Sequence, residues 1–280
     1  MQKLIYTNHN GLSVELGNTQ PYILTSFDDG VSLDVQTQKA PFQDGATHID
    51  TLLEPRDLSM VVTIVAPSLL QYEKRVEISS TFNPKVKGKL KYVNDYVSRE
   101  IDVVVDRPPR FSSGRANLGP NHQRVLINLL APTPFWMGLM ENIVKLEDFV
   151  STFSFPFSFP VSFATRGDLA TINNLSDVST PIEVEFRGLA ENPKITNVTT
   201  GEFIQINKTI ASGESLFINT DFGKKKVEIA VGSQRLNAFS YIDLDSTFFE
   251  LIPGQNELTF LTDSGTPEVY VKYRNRYVGV

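Results

Sequence analysis

The sequence predicts a mainly β protein in two consecutive parts, with a single α-helix in the first. Three observations carry this. Most apolar residues alternate with polar ones, which is the period of strands with one buried face. Only one stretch, about residues 68–82, departs from that period with helix start and stop signals. Near residue 140 the chain passes from a mixed, helix-bearing part to one made of short strands and turns, which divides it into 1–140 and 141–280.

In the first part, LIYTNHNGLSVELG reads as two strands about the turn Asn8-His9-Asn10-Gly11. Turn signals follow at Asp28-Asp29-Gly30 and Gln43-Asp44-Gly45, with a strand between them. EPRDLSMVVTIVA ends in a β-branched strand from Met60 to Val65. In the helix, Ser68 and Gln71 have the spacing of a capping box behind Pro67. Leu69, Tyr72, Val76 and Ser79 or Ser80 share one face, with Glu73, Lys74 and Glu77 off it, and Asn83-Pro84 stops the helix. GKLKYVN and SREIDVVVD then form a hairpin-like pair joined near Asp95, HQRVLINLLAP is a further strand, and TPFWMG closes the part.

The second part reads as the strands PIEVEFRG, PKITNV, EFIQIN, SLFIN, KKVEIAV, FELIPG, NELTFLT and EVYVKYR. Turns punctuate them at the roughly 8–12 residue spacing of a sandwich. Asp221-Phe222-Gly223 turns one hairpin, whose basic end Lys224-Lys225-Lys226 is solvated, and Pro253-Gly254 begins another strand. At the join lies TFSFPFSFPVSF, where Phe153, Phe155, Phe157, Phe159, Val161 and Phe163 alternate with serine and proline. Pro156 and Pro160 have no N–H for a ladder. The segment, about 153–163, is therefore expected as an extended border strand with its aromatic face pressed on a core.

Composition excludes several classes. Forty-one per cent of residues are hydrophobic and 21 % charged, as in a globular chain. The formal net charge of −6 gives no basic face for nucleic acid. With no cysteine there is no disulfide, thiolate metal site or cysteine nucleophile. No apolar signal-peptide core or membrane-spanning window is visible, so a soluble protein made in a cytoplasm is expected. Without a secretion signal, the glycosylation sequons at Asn174, Asn197 and Asn207 read as coincidence.

Catalytic signals are absent or unspecific. His9, His48 and His122 are far apart in polar stretches. There is no Gly-x-Ser-x-Gly elbow, phosphate loop or dinucleotide fingerprint. The carboxylates of Asp28-Asp29-Gly30 and of Asp243–Ser246 lack the ligand spacing of a calcium loop. No catalytic residue, metal or cofactor is expected. The residues expected to matter are packing residues at an interdomain or intersubunit border: Trp136, Phe135, Phe153, Phe155, Phe157 and Phe159. The alternative for Trp136, the only tryptophan, is a core plug beneath the domain border.

Taken in order, several stretches resemble one family, the distal tail proteins of long, flexible-tailed bacteriophages. They are APFQDGATHID, EPRDLSMVVTI, EKRVEISSTFNPKVKGKLKY, REIDVVVDRPPRF and INLLAPTPFW in the first part. In the second they are FSFPFSFPVSF, TPIEVEFRGLAENPKITNVTTGEFIQI, DSTFFELIPGQNEL and VYVKYRNRYVGV. The resemblance implies a split-barrel-type β domain bearing the helix, followed by a galectin-like β-sandwich. It implies a ring, expected to be a hexamer, at the tail tip of the virion. The ring would join the major tail tube protein to a tail-associated lysin or adhesion protein. The tape-measure protein, and later DNA without specific binding, would cross its lumen. A receptor-binding protein is a further candidate partner. Synthesis in the bacterial host cytoplasm, no membrane insertion and no catalysis belong to the same picture. An acidic chain would leave a lumen that does not hold passing DNA.

Two other functions compete. A carbohydrate-binding module would use Tyr241, Tyr270 or Tyr273 as its stacking platform, since the tryptophan lies outside the second part. A hydrolase of cell-wall polymer would need two carboxylates that meet in space.

Overall fold

Residues 2–146 and 168–280 are described by a computed structural model. They divide into two units, Met1–Leu139 with Tyr277–Val280, and Met140–Arg276. The expected border strand, with Phe153, Phe155, Phe157 and Phe159, lies outside the described residues. The sequence reading assigns 277–280 to the second part. In the structure they belong to the first unit, a non-local pairing that no local pattern announces.

In the first unit the strands are β1 (Lys3–Asn8), β2 (Ser13–Leu16), β3 (Tyr22–Asp28), β4 (Val31–Gln38) and β5 (Thr47–Val65). Helix α1 (Ser68–Thr81) follows, then β6 (Gly88–Val93), β7 (Ser98–Phe111), β8 (Leu118–Gly119), β9 (His122–Ala131) and β10 (Trp136–Gly138). One sheet runs β2-β1-β6-β7-β9-β5-β3, and β4 pairs with the outer half of β5. Alternation fills its core: Leu4 and Tyr6 of β1, Leu58, Met60, Val62 and Ile64 of β5, and Val125, Ile127 and Leu129 of β9 are buried.

The helix bounds match the sequence signals, and its apolar stripe faces outward. Ile78 and Phe82, just past its end, are buried, while Leu69, Tyr72 and Val76 are exposed. The capping box does not form. Ser68 Oγ donates to the Pro120 carbonyl at 2.8 Å, and Gln71 Nε2 donates to the carbonyls of Ala66 and Gly119. Gln71 is buried and satisfied there, so both capping side chains are used to tie the helix start to the loop before β9 instead. At the helix end, Asn8 Nδ2 donates to the Thr81 carbonyl while its Oδ1 accepts from the N–H groups of Asn10 and Leu12. The Asn8–Gly11 turn is thus fastened to the helix.

The second unit comprises β11 (Asn142–Leu146), β12 (Asp168–Asn174), β13 (Thr180–Arg187), β14 (Ala190–Glu191), β15 (Lys194–Asn197), β16 (Glu202–Gln205), β17 (Thr209–Ile210) and β18 (Glu214–Asn219). It continues with β19 (Lys226–Val231), β20 (Gln234–Asn237), β21 (Glu250–Leu251), β22 (Gly254–Leu261), β23 (Ser264–Gly265) and β24 (Glu268–Tyr273); β25 (Arg276–Tyr277), where the chain returns to the first unit, pairs with β10. One sheet runs β11-β24-β13-β18-β19-β20 and a second β12-β22-β15-β16. Their apolar faces share one core, where Phe186 of the first sheet meets Phe260 of the second edge to face, ring centroids 6.1 Å apart. That is a β-sandwich. The hairpin turn at Gly223 has a positive φ of 78° and Gly254 one of 92°, conformations that favour glycine. Asn174 and Asn197 are buried and hydrogen-bonded to Leu251 and Asn256, so neither side chain is placed to carry a glycan.

Tyr6 stacks on Phe82 with ring centroids 4.2 Å apart. A Cβ at Gly88, on the neighbouring strand β6, would overlap the Tyr6 ring. Gly88→Ala is expected to lower stability by about 1–3 kcal/mol, the usual range for overpacking, read as a lower denaturant midpoint. An unchanged midpoint would mean that the ring is not confined.

Candidate assembly interface

Strand β5 is two strands in function. From Leu58 to Ile64 alternate side chains enter the core, but from Thr47 to Pro55 none is buried. That outer half pairs with β4, from Val31↔Arg56 to Gln38↔Thr47, and forms a hairpin arm beyond the body. At about 3.4 Å per residue the paired part is roughly 25 Å long. Alternation puts Leu33, Val35 and Leu53 on one face, with Leu33 opposite Leu53, and Leu52 on the other. Leu33, Val35, Ile49 and Leu52 are each half exposed, and Phe42 at the tip is fully exposed with a positive φ of 64°. An isolated two-stranded hairpin is marginal in water, so the arm needs fixing at its base and cover along its length.

The base is fixed by Arg56. It is 1 % exposed and sits where β5 leaves the body. Its Nη1 meets Asp29 Oδ1 at 2.5 Å and the Asp29 carbonyl at 2.9 Å. Its Nε donates to the Pro134 carbonyl at 2.8 Å, and its Nη2 donates to the Val278 carbonyl. Trp136, 0 % exposed, donates Nε1–H to both oxygens of the same carboxylate at 3.1 Å and packs edge-on to Tyr92. Burial pushes the Asp29 carboxyl above the usual carboxylate range, while Arg56 and then Trp136 pull it back. Arg99 adds a second hold on the tail: its guanidinium lies 3.6 Å from the Tyr277 ring centroid and donates to the Gly279 carbonyl.

Among the residues singled out from sequence, Trp136 is therefore a core residue of the first unit, and Phe135 beside it is partly buried. Asp29, weighed only as a metal ligand, is engaged by Arg56 and Trp136. Asp243 accepts from Asn207 and from the Asp245 N–H. Among the described residues no three His, Asp or Glu side chains gather as a metal site would require, and no helix is long and apolar enough to cross a membrane. The tyrosines proposed as a sugar platform are dispersed. Tyr273 is in the core, Arg187 covers Tyr270 at 4.5 Å and Lys208 covers Tyr241 at 4.3 Å. The sequence reading did not pick out Arg56 as a site residue. Its signal was an arginine next to a proline at the start of a β-branched strand.

Two family models match this chain. "Phage tail protein RIFT-related domain" covers residues 9–131, and "Siphovirus-type tail component, C-terminal domain" covers 175–277. The chain belongs to the siphophage distal tail protein family. As a distal tail family member it is a structural component of the phage tail. In fold it is similar to the crystal structure of the Dit protein (gp 19.1) of phage SPP1, described as a hub of the adsorption apparatus in phages infecting Gram-positive hosts. The TM-score is 0.70 at 9 % identity, with 98 % of each chain covered. It is also similar to chains in the activated baseplate of phage p2 with calcium and with strontium. There the TM-scores are 0.53 and 0.54, the identities 13 % and 12 %, and at least 99 % of each chain is covered. No curated protein sequence matches. The distal tail fold accounts for a mainly β chain in two units with one helix.

Asp29→Ala leaves a buried guanidinium without its counter-charge and is expected to cost about 3 kcal/mol. Trp136→Ala, which empties a core position, should cost about 3–5 kcal/mol. Both are checked by equilibrium denaturation, and wild-type midpoints would remove the clamp from the account.

Proposed function

We propose that this chain is a non-enzymatic structural protein of the siphophage tail tip that closes into a ring through its first unit, a hexamer by family expectation. The ring joins the major tail tube protein to the tail-associated lysin or adhesion protein. The tape-measure protein and DNA cross its lumen, and the second unit is the part available to grip a receptor-binding protein. Synthesis in the host cytoplasm precedes assembly into the virion.

The observation that supports this reading best is the arm. It is exposed on both faces, carries Leu33, Val35, Ile49 and Leu52, and is rigidly based on Arg56. A pair of strands of this kind is suited to pairing with or packing on another protein. A ring needs two different patches that fit one another, because closed head-to-tail contacts join one patch to a different one on the neighbour, and a projecting arm can be one of them. The net charge of −6 supports passage of DNA without retention.

Light scattering and negative-stain images of the purified chain, alone and with its tail tube protein, are expected to show rings. Leu33→Asp with Val35→Asp should weaken assembly by about 2 kcal/mol, ~30-fold in Kd. Because these side chains leave the core, the unfolding midpoint should stay at the wild-type value. A chain that stays monomeric in both settings, or an arm variant that assembles as well as wild type, would defeat the proposal.

A further inference from the structure

We infer that the arm is received by the next copy of the same chain, in the groove between helix α1 and Phe111. This assignment of the receiving surface rests on the self-assembly reading above. The groove has a volume of about 450 Å³ and is lined by Tyr72, Arg75, Val76, Ser79, Ser80 and Phe111. Leu69 is 88 % and Tyr72 73 % exposed, and with Val76 they form a stripe along the helix at spacings of three and four. Helix α1 already buries Ile78 and is fastened through Gln71 and Asn8. The outward stripe therefore contributes nothing to its own core.

Three features single out another copy's arm as the occupant. The first is charge. Between Val31 and Pro55 the arm carries Asp34, Asp44, Asp50 and Glu54 against Lys39 alone. In the groove, the Arg75 guanidinium lies 4.6 Å from the Phe111 ring centroid. Arg75 is the one charged side chain that lines the groove. An arm with a surplus of carboxylates meets an apolar seat whose lining charge is a cation. The second is chemistry: both surfaces offer leucine, valine and aromatic side chains with a polar rim, the make-up of a protein–protein contact. The third is position. The β5–β9 ladder runs from Arg56↔Ala131, at the root of the arm, to Val65↔His122, beside the helix, and Val125 of the seat lies opposite Val62. Six residues of strand, about 20 Å, separate Val62 from Arg56, and the arm extends outward from there. An arm cannot turn back into its own groove. Donor and seat at opposite ends of one unit define a heterologous contact, the kind that repeats head to tail and can close.

The chain has no cysteine, so engineered thiols report alone. Val35→Cys on the arm and Ser79→Cys in the groove, combined in the full chain and treated with a short thiol–thiol cross-linker, should give a ladder of covalent oligomers. Each single variant should give dimers at most. Arg75→Glu should weaken self-association at least about tenfold. Oligomers in light scattering without the ladder, or with undiminished association in the charge-reversed variant, overturn this assignment and leave the assembly reading standing. An internally linked monomer overturns it as well. A chain that is monomeric from micromolar to near-millimolar concentration and gives no ladder overturns both.

Discussion

A single buried guanidinium decides where this molecule stops being a body and becomes an arm. Arg56 is the last inward-pointing residue of β5 before the strand leaves the core. Its donors go to Asp29 on the opposite strand root, to Pro134 before the tryptophan strand and to Val278 from the chain's far end. Four segments distant in sequence are therefore indexed to one planar cation. Arginine suits this role because its fork of donors is rigid, whereas a lysine would present a mobile point charge. The Asp29 carboxylate serves twice, as counter-charge for Arg56 and as acceptor for Trp136, which places the only tryptophan and the arm's root in the same hydrogen-bonded group.

What was legible in the sequence follows what is buried. Strands with one face in the core, such as Met60–Val65, Gly88–Val93 and His122–Ala131, show clean alternation and were read as strands. The outer half of β5 was not, because a strand exposed on both faces has no reason to alternate strictly. The helix was read in the right place, since Pro67 and Asn83-Pro84 are local signals. Its apolar stripe was read as one face, but a stripe states only that something covers it, and here Leu69, Tyr72 and Val76 face away from the unit's core. Ser68 and Gln71 had capping-box spacing but found better partners across the loop, a tertiary choice that spacing does not encode. Of the site, Trp136 stood out by rarity. Its bond to Asp29, 107 residues away, had no sequence signature.

The two units divide the physical work. In the second, a sandwich, Glu185 is held by Arg187 at 2.6 Å and Lys272 at 3.1 Å, and the Arg187 hydrogen bond above all holds its carboxyl below the usual range. The first unit leaves apolar groups outside at both ends of β5, Leu33, Val35 and Leu52 on the arm and Leu69 and Tyr72 on the helix. A protein built to be one subunit among several has to keep a stable core while withholding part of its apolar surface from it. Separating those demands along β5, core at one half and arm at the other, lets each be met without strain on the other.

The hold of Arg56 and Arg99 on residues 277–280 also has a consequence for biosynthesis. Those residues are translated only after the entire second unit, on the order of ten seconds later at ordinary ribosomal speeds. Until then Arg56 lacks one acceptor and Arg99 lacks its aromatic cover. A nascent chain that has not yet reached residues 277–280 therefore carries an unfinished arm root.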